Sequence, residues 1–213
     1  MLAFTLLLHL SMTATKPVEL PALQEPAPRE SKFRIEPNMG RYAEEVKYVM
    51  FVQDGVVLFT DDGMVDSSGV GVVLKNSNSG AFNALGFRCA VRNTLENDGP
   101  LYIPIYSKLV RRNVYDGIDA IYELTPEGEL EVSFFLQSHA KLSDILVAYQ
   151  GVEKIETTKQ NELALKTLTG KVVQRCPRIL RLMGDRYVAL SVGMKLGGDG
   201  YVRFSGRAAG LGD

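Results

Sequence analysis

Asp116 and Asp119 flank Gly117-Ile118 near the start of the run Val114-Tyr-Asp-Gly-Ile-Asp-Ala-Ile-Tyr-Glu-Leu-Thr-Pro-Glu-Gly-Glu-Leu-Glu-Val-Ser-Phe-Phe135. Two carboxylates this close could hold a metal or divide acid and base work, because neighbouring like charges drive their pKa values apart. The same residues suit a turn that enters a strand, with Asp capping the local backbone and Gly117 at positive φ. The residue types favour the turn. His139, the one histidine outside the N-terminal apolar run, is the natural general base near neutral pH. No Ser or Cys stands near it in a nucleophile-elbow context, so it reads as an exposed loop residue.

Tyr102, Tyr106, Tyr115 and Tyr122 cluster in sequence. Such tyrosines could build a sugar-stacking platform; strand tyrosines more commonly pack their rings and leave the hydroxyl at an edge. Asp61, Asp62 and Asp66 offer oxygen ligands but lack the alternation, glycine and terminal glutamate of a calcium loop. Cys89 and Cys176 are the chain's only cysteines. They could form a disulfide in an oxidising compartment or remain buried free thiols, and with a single available histidine they cannot complete a structural zinc site. The sequence thus nominates no catalytic residue, no metal site and no cofactor. Its binding candidates are Asp116, Asp119, Tyr102, Tyr115 and Tyr122.

The elements that must position these side chains are short strands. The chain has 213 residues, 46% of them hydrophobic, enough for one sizeable core. Val46–Val52 and Val56–Thr60 flank Asp54-Gly55, a hairpin signature. Val70–Leu74, Phe87–Val91 and Leu101–Ile105 follow, with Pro104 requiring a sheet edge or a strand end. In the opening run Leu130, Val132, Phe134 and Leu136 alternate with Glu131, Ser133 and Gln137, and Thr125-Pro-Glu-Gly128 suits a type I turn. Further strands are expected over 145–149, 163–168, 172–175, 179–182, 187–192 and 201–204, with a single helical turn at Leu142-Ser143-Asp144. This spacing predicts an all-β fold, a two-layer antiparallel β-sandwich of Greek-key character with very little helix.

Leu2–Leu10 is a short apolar run followed by the small residues Ser11-Met-Thr-Ala-Thr15. Residues 1–15 read as a signal peptide, although no Lys or Arg precedes the run; a buried strand or frayed terminus is the alternative. Pro17, Pro21, Pro26 and Pro28 make 16–32 an extended spacer. The sandwich is expected over 33–205, with a flexible tail at 206–213. A net charge of −1, without blocks of like charge, gives no footprint for nucleic acid or a polybasic membrane patch. The Leu2–Leu10 run is too short for a transmembrane segment.

Several motifs carry a resemblance to a family. They are Ile35-Glu-Pro-Asn-Met-Gly40, Ile103-Pro-Ile-Tyr106 leading to Val114-Tyr-Asp-Gly-Ile-Asp119, Leu130-Glu-Val-Ser-Phe134, Ser143-Asp-Ile145, Gly151, Asn161-Glu-Leu-Ala-Leu165, Thr169-Gly170, Gln174 and Pro177. In this order they resemble the β-rich N-terminal domain of unknown function found ahead of SBBP-type β-propeller repeats in secreted bacterial proteins. Asp116 stands where family members commonly carry proline, and the Trp that often precedes the Pro-x-Tyr element is absent. The resemblance implies a secreted or cell-surface module with a structural or binding role and a downstream β-propeller domain as partner. It brings no reaction with it. The alternative is a carbohydrate-binding or carbohydrate-active sandwich whose partner is a cell-surface glycan. Whether the chain is a fragment or a free-standing domain stays open.

Overall fold

The computed structural model describes residues 32–93 and 100–208; the expected signal peptide and the spacer up to residue 31 lie outside them. The described residues are all-β, with one single-turn 3-10 element at Leu142–Asp144. β1 (Arg34–Pro37), β2 (Val46–Val52), β3 (Gly55–Thr60), β4 (Gly63–Asp66) and β5 (Gly71–Leu74) form an antiparallel meander. Val52 opposes Gly55, so the β2–β3 turn residues are Gln53 and Asp54, one place earlier than the sequence suggests. Gly55 opens β3 at φ 134°, and a Cβ there would meet the Ser67 side chain.

Next come β6 (Phe82–Leu85), β7 (Arg88–Asn93), β8 (Pro100–Ile105), β9 (Lys108–Tyr115), β10 (Ile118–Leu124) and β11 (Leu130–Leu136). β7 and β8 pair only with each other, which leaves Pro104 on a strand that tolerates a missing donor. β10 and β11 are the expected hairpin, in register from Ile118↔Leu136 to Leu124↔Leu130. Its turn closes as expected, with the Gly128 amide donating to Thr125 O at 2.9 Å and Gly128 at φ 84°. A side chain at 128 would also collide with the Phe33 ring, which lies 2.4 Å from the position of its Cβ.

The chain finishes with β12 (Leu146–Gln150), β13 (Lys154–Thr157), β14 (Leu163–Thr167), β15 (Gly170–Gln174), β16 (Arg178–Met183), β17 (Arg186–Leu196) and β18 (Val202–Ala208). Thirteen strands join one sheet in the order β1-β2-β3-β4-β5-β12-β18-β17-β16-β11-β10-β9-β6, while β13-β14-β15 form a smaller sheet. The large sheet is mixed, which corrects the purely antiparallel expectation. β11 and β16 run parallel, from Ser133↔Arg178 to Leu136↔Arg181. A parallel pair cannot be joined by a hairpin. Residues 137–177 make the crossover, and they build β12 and the three-stranded sheet on the way. Residues 206–208, expected in the tail, belong to β18, which stays paired with β17 up to Ala208; the rest of the expected tail lies outside the described residues.

Each strand with one apolar face must bury it. The long sheet curls to do so, and side chains from strands distant in its order meet. Phe59 of β3 packs edge-to-face on Tyr122 of β10 at 5.2 Å and on Phe82 of β6 at 5.6 Å. Phe59, Ile35, Met50, Leu109, Ile118 and Leu136 are fully buried in this core, each contributing roughly 1.5–3 kcal/mol. The Tyr106 amide donates to Ile35 O at 2.9 Å and ties the segment before β9 to edge strand β1.

Candidate functional site

The β9–β10 connection brings together the residues with the strongest chemical promise. Asn113 takes φ 50° and its Oδ1 accepts the Gly117 amide at 3.1 Å. Gly117 sits at φ 68°, as the turn reading requires. Asp119 Oδ1 accepts the Asn113 amide at 2.8 Å and Oδ2 accepts Arg112 Nη1 at 2.5 Å. Asp119 therefore braces the bulge that shifts the β9–β10 register. Asp116 points away into solvent, its side chain 91% exposed, with His139 Nε2 at 4.0 Å. The two carboxylates have separate partners and do not form a shared acid–base pair. His139 is itself exposed. Asn113, whose left-handed backbone sets this turn, was not singled out by the sequence reading; an Asn four residues before a Gly that needs positive φ is the signal that could have found it.

The tyrosines separate in the same way. Tyr115 is buried, and its hydroxyl stands 2.9 Å from Lys75 O and 3.1 Å from Leu146 O while accepting the Leu146 amide at 3.3 Å. It joins the β9–β10 corner to the end of β5 and the start of β12. Burial pushes its pKa up, partly offset by the bond to the Leu146 backbone. Tyr122 lies in the aromatic core, and burial pushes its pKa from 10.0 to about 12. Only Tyr102 is exposed, at 63%. These three tyrosines build no common platform. The register of β7 and β8 instead places Tyr102 on one face with Cys89 and Pro104, while Phe87, 66% exposed just before β7, lies with its ring 6.0 Å from that of Tyr106.

Cys89 and Cys176 are both free thiols in the structure. Cys89 is exposed on β7, whereas Cys176 packs against the main core beside Val192 O, and burial raises its pKa. Asp66 caps its own loop, its Oδ1 accepting the Ser68 and Val70 amides at 2.9 and 3.0 Å. No cluster of His, Cys, Asp and Glu that could hold a metal occurs among the described residues. Nor, among them, is any helix long and apolar enough to cross a membrane.

A concave surface with charged and apolar walls lies elsewhere. A groove of about 560 Å³ runs between β15, the β2–β3 turn and the start of β11. Val57, Met64, Leu130 and Val172 are among its apolar lining, and Asp54, Glu129, Lys171 and Arg175 supply charge. Arg175 and Glu129 pair at 2.7 Å on its wall. None of the five sequence candidates lines it. Each charged residue there comes from a different turn or strand, so no local motif announces the groove.

Two further polar side chains escaped the sequence reading as individuals. Asn161, at φ 60°, donates from Nδ2 to Val192 O at 2.6 Å and accepts the Met194 amide on Oδ1 at 2.9 Å. It fastens the β13–β14 hairpin to β17. Arg111, in the middle of β9, is 2% exposed and faces the core.

No curated protein and no solved structure matches the chain. A family model does match, over residues 93–209, more than half of the chain, and takes in β8 to β18 with the whole Asn113–Asp119 turn. The chain belongs to the DUF7948 family, a domain of unknown function.

Proposed function

We propose that the chain is a non-catalytic β-module that works outside the cytoplasm, in a structural or binding role, as the N-terminal domain of a longer cell-surface protein with SBBP-type propeller repeats. The observation that carries this reading is the use made of its polar side chains. Asp119 and Tyr115, which could have done chemistry, spend their hydrogen bonds on the backbone that surrounds them. The Leu2–Leu10 apolar run supports export, and the resemblance of the Ile103–Asp119 and Leu130–Phe134 motifs supports the propeller context. A two-layer packing with Greek-key wiring accords with the meeting of β3 and β10 side chains across the core. The groove between β15 and the start of β11 is the surface a partner would use.

The test is an activity screen of the purified full chain against glycan and ester substrates, beside fractionation of cells expressing it. No turnover together with an extracytoplasmic location is the expected result. Turnover that Asp119→Asn or His139→Ala abolishes would overturn the non-catalytic reading. A second reading, glycan binding, is favoured by one observation: Phe87, just before β7, and Tyr102, on β8, are both exposed aromatics. Glycan-array binding lost in both Phe87→Ala and Tyr102→Ala would establish it, and an array without hits would remove it.

A further inference from the structure

Arg111 is the most deeply buried charge among the described residues, at 2% exposure. The β9 register sets it on the core face, opposite Phe82 on one side and Ala120 on the other. Its guanidinium carbon lies 5.6 Å from the centre of the Phe82 ring. One hydrogen bond holds it, from Nη2 to Asn78 O at 3.1 Å. Nε and Nη1 are buried and meet no acceptor among the described residues. The surface arginines show what is missing. Arg112, Arg175, Arg178 and Arg203 each reach a carboxylate at 2.5–2.8 Å.

A buried lysine can relieve such a position by losing its proton, but a guanidinium stays charged at any physiological pH. An uncompensated buried charge costs several kcal/mol, so this one calls for an acceptor that carries negative charge. Its surroundings suit a small one. The side chain across β10 is only the Ala120 methyl, and Tyr122 offers a neutral hydroxyl that has no hydrogen-bond partner among the described residues. Asn78, which caps the guanidinium, is itself exposed. It hangs on β9 by two contacts, its amide to Val114 O and its Nδ2 to Asn113 O, both at 2.8 Å. The charged end of Arg111 therefore lies directly beneath a surface loop, through which an ion can exchange.

We propose that Arg111 is an internal binding site for a small monovalent anion of halide size, with Nε–H and Nη1–H as its donors. The test is thermal and urea unfolding of the full chain in increasing sodium bromide, against sodium sulfate at matched ionic strength. A ligand that binds only the folded state lowers the unfolding constant about tenfold for each tenfold rise in its concentration above Kd. Wild type is expected to show that bromide response beyond the sulfate control, and Arg111→Met to lose it. If the Met variant does not fold, anomalous scattering from bromide-soaked wild-type crystals decides, with a peak expected within hydrogen-bond reach of Nε or Nη1. Equal responses of wild type to bromide and sulfate, an undiminished response in Arg111→Met, or crystals without that peak would each overturn the proposal.

Discussion

Tyr115→Phe separates a structural tyrosine from a binding one. The substitution keeps the ring and its packing and deletes one oxygen. That oxygen stands 2.9 Å from Lys75 O and accepts the Leu146 amide at 3.3 Å. Leu146 O is less affected, because the Lys75 amide still reaches it at 2.9 Å. The variant therefore strands one carbonyl and one amide in a half-buried setting, at a cost of about 1–2 kcal/mol. In a domain of this size that lowers Tm by roughly 2–8 °C. Urea unfolding should show a lower midpoint at unchanged slope, and hydrogen exchange should quicken first at Leu146. Tyr122→Phe is the control. It makes the same chemical change where the hydroxyl has no partner among the described residues, so at neutral pH its effect should stay within about 0.5 kcal/mol. A Tyr115→Phe midpoint equal to wild type, or a Tyr122→Phe loss as large as that of Tyr115→Phe, would refute the assignment.

Alkaline titration gives Tyr122→Phe a positive signature. The folded pKa of about 12 lies above the ordinary 10.0, so the tyrosine's contribution is complete below pH 10 and is lost as pH rises through 12. The variant should lose less stability than wild type over that window, by on the order of 3 kcal/mol, read from urea midpoints along a pH series; Tyr115 and Tyr149, both raised by burial, keep some of the fall in place. Asn161→Ala should cost about 2–4 kcal/mol, from two broken bonds to β17 and an alanine forced to φ 60°. Asn161→Gly, free of the backbone strain, should cost about 1 kcal/mol less in the same assay. Gly151→Ala should cost about 2–4 kcal/mol in chemical denaturation, because φ is 70° and the new Cβ would lie 2.3 Å from Gly69 O, a backbone atom that cannot swing away.

The β10–β11 hairpin was legible because its information is local. Alternation fixes the faces from Leu130 to Leu136, and Pro126 and Gly128 fix the turn. Asp119 was legible as a backbone cap for the same reason, since its partners Arg112 and Asn113 lie within seven residues. β9 was not foreseen as a strand. Its centre reads Arg111-Arg112-Asn113, which looks like solvent-facing sequence, yet Arg111 points into the core. β1, β4, β6 and β13 were missed as well, because four residues carry too few alternations to show a period. The parallel joint from Ser133↔Arg178 to Leu136↔Arg181 has no local signature at all. It is decided by which apolar faces find one another once residues 137–177 have crossed over. The groove is illegible for a related reason: Asp54, Glu129 and Lys171 come from three separate parts of the chain.

The same distinction bears on what constitutes the folding unit of this family member. The family match begins at residue 93, but several anchors of the matched strands lie before it. β12 pairs with β5, and β9 pairs with β6. Tyr115 bonds Lys75 and Arg111 bonds Asn78. Phe59 and Phe82 close the aromatic core around Tyr122. A chain reduced to the matched residues would expose the inner faces of β9 and β10 and leave one edge of β12 unpaired. Arg111 would lose the Asn78 carbonyl along with the loop that covers it. The family pattern thus covers only part of the folded unit. The strands before residue 93 supply the partners that pattern needs, and the two polar positions that matter most, Tyr115 and Arg111, sit where the halves meet.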